Sequence, residues 1–117
     1  MGGNTGPLVA IAYSPDGTLL GGGFSDSIKL WNTSDGTVFR TLDIRWTTAL
    51  TFSANGAYLA SGSQENYAEI VIWRVSDGQP IQTLFGHTNS PRALAFSPDG
   101  AVLASGGDET IRLWCGQ

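Results

Sequence analysis

Cysteine and histidine each occur once in these 117 residues, as Cys115 and His87. A single cysteine excludes an internal disulfide. A lone histidine with one distant cysteine makes no metal site. As a catalytic base it would need a nucleophile and a reacting centre within reach, which the sequence pattern does not offer. Positive charge is scarce too. Six Lys and Arg stand against ten Asp and Glu, for a net charge of −4 and a pI near 4.6. The basic residues Lys29, Arg40, Arg45, Arg74, Arg92 and Arg112 are scattered along the chain. A nucleic-acid partner would need them clustered. No apolar run approaches the roughly 18 residues of a membrane helix. Met1 to Gly6 is polar and glycine-rich, unlike a secretory signal, so a cytoplasmic location is expected. The glycine triplet at 21–23 lacks the Gly-Lys-Ser/Thr ending of a phosphate loop. Asp16, Asp35, Asp77 and Asp99 sit in turns, without the spacing of a calcium loop. No catalytic residue, metal or cofactor is expected, and neither nucleic acid nor membrane is an expected partner.

What fills the chain is one pattern, three times. Tyr13-Ser14-Pro15-Asp16-Gly17 leads to Ile28-Lys29-Leu30-Trp31. Phe52-Ser53-Ala54-Asn55-Gly56 leads to Ile70-Val71-Ile72-Trp73. Phe96-Ser97-Pro98-Asp99-Gly100 leads to Ile111-Arg112-Leu113-Trp114. The tryptophans fall 42 and 41 residues apart. A period near 40 in a strand-rich chain points to propeller blades.

Each repeat reads as short strands separated by turn signals. In the first they lie near Leu8–Tyr13, Thr18–Gly23, Ser27–Asn32 and Thr37–Leu42. In the second they lie near Thr47–Phe52, Ala57–Ser61, Glu69–Arg74 and Pro80–Leu84. In the third they lie near Arg92–Phe96, Ala101–Ser105 and Thr110–Cys115. The reading is therefore all-β: a partial β-propeller of three blades, each a four-stranded antiparallel sheet, the last lacking its outer strand. The blades fall at about 8–42, 47–84 and 91–115 of one segment. Ser-Pro-Asp-Gly suits a tight bend, with Pro fixing φ and Gly tolerating positive φ. Ser53-Ala54-Asn55-Gly56 is a weaker copy. The first strand of each repeat is small and apolar on both faces, which predicts burial between neighbouring blades. Gly21-Gly22-Gly23 predicts a weak strand.

The third repeat carries the most specific residues. Gly86-His87, Phe96-Ser97-Pro98-Asp99-Gly100, Leu103-Ala104-Ser105-Gly106, Asp108 and Ile111-Arg112-Leu113-Trp114 together resemble a WD-repeat β-propeller unit. The resemblance covers residues 8–117. It implies a buried hydrogen-bonded set of His87, Ser105, Asp108 and Trp114. An imidazole, a hydroxyl, an indole N–H and a carboxylate can satisfy one another in such a set. The chain departs from the pattern where Asn32, Arg74 and Cys115 follow the tryptophans in place of Asp. Arg45 lies near the His position of the second repeat, and Ser61 matches its Ser. Gly22 and Ser25 fall where the first repeat should hold Ser and Asp.

The resemblance also implies a non-catalytic scaffold that presents a propeller rim to a protein or peptide. Trp46 is the one tryptophan off the period, just before an innermost strand, and an exposed tryptophan there is a natural anchor. Arg45, Arg92, Tyr67 and Glu65 could flank it. The loop 64–68 is about three residues longer than its counterparts. Two alternatives stand beside this reading: a propeller segment of a larger enzyme, or a carbohydrate-binding propeller. An enzyme would show convergent carboxylates or a His pair. A sugar site would show an aromatic at one rim position of every repeat, and those positions hold Pro7, Trp46 and Ser90. Three blades cannot close a ring. The remaining blades would come from the same parent chain or from homo-oligomerisation.

Overall fold

A serine and an acid or amide two residues later build the same hairpin in each repeat, and in the first two a glycine follows. Ser14 Oγ donates to Asp16 Oδ1 at 2.8 Å and accepts from the Leu19 N–H at 3.0 Å. Ser53 does the same with Asn55 and Tyr58, at 2.8 and 3.1 Å. Ser97 does so with Asp99 and Val102, at 2.6 and 3.1 Å. Ser14 and Ser53 are buried, so this pairing satisfies hydroxyls that would otherwise be costly there. Gly17 and Gly56 take φ of 76°, the conformation that ends the bend without a Cβ clash. The Asn copy thus closes as the Asp copies do. The Asp16 carboxyl is held below its ordinary value, first by the Thr18 N–H and hydroxyl and then by Ser14.

The computed structural model describes residues 8–44, 46–63, 69–85, 92–99, 102–107 and 111–115. Among these the elements are β1 (Leu8–Tyr13), β2 (Leu19–Phe24), β3 (Ile28–Asn32) and β4 (Val38–Leu42). Then follow β5 (Thr47–Phe52), β6 (Tyr58–Ser63), β7 (Ile70–Arg74) and β8 (Gln79–Leu84). The last are β9 (Ala93–Phe96), β10 (Val102–Gly106) and β11 (Ile111–Cys115). They form three antiparallel meanders, β1-β2-β3-β4, β5-β6-β7-β8 and β9-β10-β11. This is a partial propeller of three blades, the last one strand short. Irregularities recur at matching places. The β1–β2 register shifts between Leu8 and Ala10, and β5–β6 between Thr47 and Ala49. The β3–β4 register shifts between Leu30 and Trp31, and β7–β8 between Ile72 and Trp73. Such bulges sharpen the strand twist that a blade needs.

Alternation sends two sets of side chains out of each sheet. One face of the first blade carries Ile28, Leu30 and Leu42. It packs on Leu50, Phe52, Leu59, Val71, Trp73 and Val75 of the second. The other face of the second blade carries Ala60, Ile70 and Ile72 and packs on Leu94, Phe96, Leu103 and Trp114 of the third. Each fully buried Leu or Ile is worth about 1.5–3 kcal/mol.

Two expectations change. The first strands were expected to be buried on both faces, and β5 alone is. Val9, Ile11 and Tyr13 of β1 are exposed, and so are Ala93 and Ala95 of β9. Among the described residues no sheet stands before the first blade or beyond the third, so each end keeps one open face. The glycine-rich β2 was expected to be weak. It pairs along its length with both β1 and β3 and is buried from Leu20 to Phe24. Gly23 lies hard against Thr47 of the second blade and Gly21 against Leu30 of its own, so an absent side chain is what the packing requires at Gly23 above all.

Candidate functional site

The rim is built where the loop before an innermost strand meets the turn between second and third strands. Trp46 shows this geometry. Its N–H donates to the Ser25 carbonyl at 3.0 Å, tying the approach to β5 to the β2–β3 turn of the previous blade. The bond holds Trp46 at φ 59°, the only left-handed non-glycine residue among the described residues. That conformation costs roughly 1–2 kcal/mol for an L-residue with a Cβ. The side chain is 48% exposed. An aromatic held strained and open by its surroundings is a recognised mark of a functional position.

Arg92 sits directly before β9, at the position of Thr48 in the second repeat. It is exposed, and its N–H donates to the Gly106 carbonyl at 2.8 Å, at the end of β10. Trp46 and Arg92 thus each precede the innermost strand of their blade, two positions apart in the repeat, and only the Trp46 bond crosses to the previous blade. Arg45, Glu65 and Tyr67 lie outside the described residues.

Next to Trp46, Thr47 opens β5 opposite Ser63 of β6, a pair that the sequence pattern does not single out. Ser27, Thr47 and Ser63 are all buried. The Thr47 hydroxyl has no hydrogen-bond partner, although its atom is shielded from solvent. Ser25, which fixes the Trp46 backbone, was read only as a departure from the family pattern. No pattern of residue types signals a carbonyl contact of this kind.

The network half-emerges. Trp114 Nε1 donates to Ser105 Oγ at 2.8 Å, with Ser105 buried and Trp114 half-buried. His87 and Asp108 lie outside the described residues. The same indole-to-hydroxyl bond recurs in the second blade, where Trp73 Nε1 donates to Ser61 Oγ at 2.9 Å, both buried. In the first blade Gly22 replaces the serine. There Trp31 packs edge-on against Phe24, with centroids 6.0 Å apart and rings at 81°. Trp73→Phe removes the donor and part of the ring from a buried site, and should lower stability by about 1–3 kcal/mol. Trp114→Phe should cost less, because its site is half-open. Urea unfolding of both variants checks the order, and equal losses would show that burial does not set the value of this bond.

A groove of about 670 Å³ opens on the opposite side, between the second and third blades, lined by Tyr58, Ile72, Ile81, Leu84, Phe96 and Trp114 among others. Between the first and second blades the matching region is closed. Val75 is buried there, and Arg40 Nη2 reaches the Ser76 carbonyl at 2.8 Å. The groove lies between β8 and the second-blade-facing side of the third blade, and neither Trp46 nor Arg92 lines it. Among the described residues no group of three His, Cys, Asp or Glu is placed to hold a metal. No helix there is long and apolar enough to cross a membrane.

Comparison with known proteins agrees with the geometry. The family model described as WD domain, G-beta repeat matches residues 1–32 and 78–115. Protein FIZZY-RELATED 2 of Arabidopsis thaliana is 38% identical over 117 residues, covering 95% of this chain and 24% of that protein. Autophagy-related protein 16 of Arabidopsis thaliana is 32% identical over 103 residues, covering 84% of this chain and 20% of that protein. The chain thus spans a fifth to a quarter of the curated relatives it matches. The crystal structure of the RRP9 WD40 repeats superposes with a TM-score of 0.90 at 24% identity, over 97% of this chain and 37% of the other. That likeness speaks for the fold alone.

Proposed function

Because this chain belongs to the WD40 family, we infer that it is a non-catalytic interaction scaffold whose rim receives a protein or peptide, anchored at Trp46. The observation that carries the reading is the exposed Trp46 ring on left-handed backbone. Tryptophan is among the residue types that most often dominate binding energy. Arg92, which precedes the innermost strand one blade on, and Arg45, Tyr67 and Glu65 are proposed as flanking contacts. WD40 propellers are generally non-catalytic, which supports a scaffold over an enzyme segment. A sugar-binding propeller is less favoured, since the rim position of Trp46 is not aromatic in the other repeats.

Fluorescence gives the first check. Acrylamide should quench Trp46 strongly while the buried Trp31 and Trp73 stay protected and Trp114 falls between. The binding test uses a displayed library of random peptides selected on the immobilised chain. Peptides that bind the parent should lose about 1–3 kcal/mol on Trp46→Ala, a factor of roughly 5–150. Trp46→Gly should lose the same binding while folding at least as well, because glycine accepts the left-handed backbone. If no selected peptide distinguishes the parent from either variant, Trp46 is not the anchor.

A further inference from the structure

Two residue differences between the repeats account for the open groove between the second and third blades. Between the first and second blades the matching space is filled from the turn after β7. Val75, two residues after Trp73, is buried there, and the carbonyl of the next residue, Ser76, accepts from Arg40 Nη2 at 2.8 Å. Two residues after Trp114 the sequence has Gly116, which brings no side chain to insert. Gln82 stands at the position of Arg40, since Arg40 lies opposite Leu30 and Gln82 opposite Ile72 in matching ladders. Its amide is shorter than a guanidinium fork and carries fewer donors. What remains is a volume of about 670 Å³, with Ile81, Leu84, Phe96 and Trp114 among its walls and Gln82 beside them. Further propeller elements would not fill it. Trp114 lines the groove, so Leu113 and Ile111 point the other way, and a blade following the third would meet that opposite face. An outer strand on β11 would not reach the space either. Its counterparts in the second blade, Pro80 and Thr83 opposite Trp73 and Val71, are exposed.

We propose that this groove receives a peptide segment of a partner protein through one aliphatic side chain, Val, Ile or Leu, seated as Val75 is seated one blade earlier. The carbonyl of the segment's next residue accepts from the Gln82 amide, as the Ser76 carbonyl accepts from Arg40. The first two blades thus hold a template of the ligand: an aliphatic side chain followed by an accepting carbonyl. An apolar concavity of this size with a few polar groups at its edge is what a binding pocket offers. Trp46 does not line the groove, so the site stands apart from the rim.

Short random peptides displayed on phage and selected on the immobilised Trp46→Ala protein, which lacks the rim anchor, should converge on an aliphatic residue. Gly116→Val supplies the missing side chain from within the chain and should weaken those peptides by at least about tenfold. Ile81→Lys changes an exposed wall residue, so it should keep the parent's circular dichroism and weaken them by at least about as much. Gln82→Ala removes one donor and should weaken them by about two- to tenfold. A selection that yields no binder overturns the proposal. So does a proline-rich or aromatic consensus, which would mean another class of partner. So do aliphatic binders that Ile81→Lys leaves unchanged, a result that holds even if Gly116→Val fails to fold. Binders that a folded Gly116→Val leaves unchanged overturn the Val75 template and the proposal with it.

Discussion

Leu30→Ala should lower the folding stability by about 2–5 kcal/mol, while Leu113→Ala, at the same position of the third repeat, should lower it by less than about 0.5. Leu30 is fully buried in the interface between the first and second blades. Truncating it removes apolar contacts and leaves a cavity that the surrounding strands cannot close. Leu113 faces outward. Its truncation leaves no cavity and changes little apolar burial within one chain. The contrast isolates environment from sequence, because both leucines precede the repeat tryptophan on a third strand. Urea unfolding at low protein concentration, where chains are separate, measures both. Similar losses at the two sites would mean that the third blade is covered as the first one is.

The second large effect is expected at Gly23. A Cβ added there would lie 2.6 Å from Thr47 Cγ2 and 2.9 Å from Thr47 Cβ. Neither atom can swing away easily, since Thr47 is β-branched and buried on β5. Gly23→Ala should therefore cost about 1–3 kcal/mol by forcing the first two blades apart. Gly21→Ala is the milder comparison. Its Cβ would meet a Leu30 methyl at 3.3 Å, the far end of a longer side chain. Combining Gly23→Ala with Thr47→Ala removes the Cγ2 and should recover part of the loss. A coupling energy near zero between the two substitutions would mean that the clash is relieved elsewhere.

The outline of the fold was open to reading because it depends on local chemistry. Ser-Pro-Asp-Gly and its Asn variant name the hairpins, and alternating apolar residues name the strands between them. β1 and β5 begin and end at the residues the pattern gives, and the other strands differ from it by a residue or two at an end. The Ser61–Trp73 bond follows from position matching alone. What escaped depends on neighbours distant in sequence. Gly23 reads as a weak point until the Thr47 side chain is seen against it. Trp46 reads as off-period, but its left-handed backbone is imposed by the Ser25 carbonyl, and a carbonyl has no letter in the sequence. Ile11 and Leu50 are near-identical in type and position, yet one is exposed and the other buried. Only the presence of a neighbouring sheet separates them.

Among the described residues every hydrogen-bonded strand pair joins strands adjacent in the chain, and no ladder passes from one sheet to the next. The sheets meet mainly through side chains, with one backbone bond from Trp46 to Ser25 outside the strands. A gene encoding such a chain can therefore gain or lose a whole repeat without rewriting any strand pairing. The newcomer need only bring the two side-chain faces its neighbours already accept. Duplication and deletion are mild edits for this architecture, whereas a one-residue insertion within a strand would reverse every side chain beyond it.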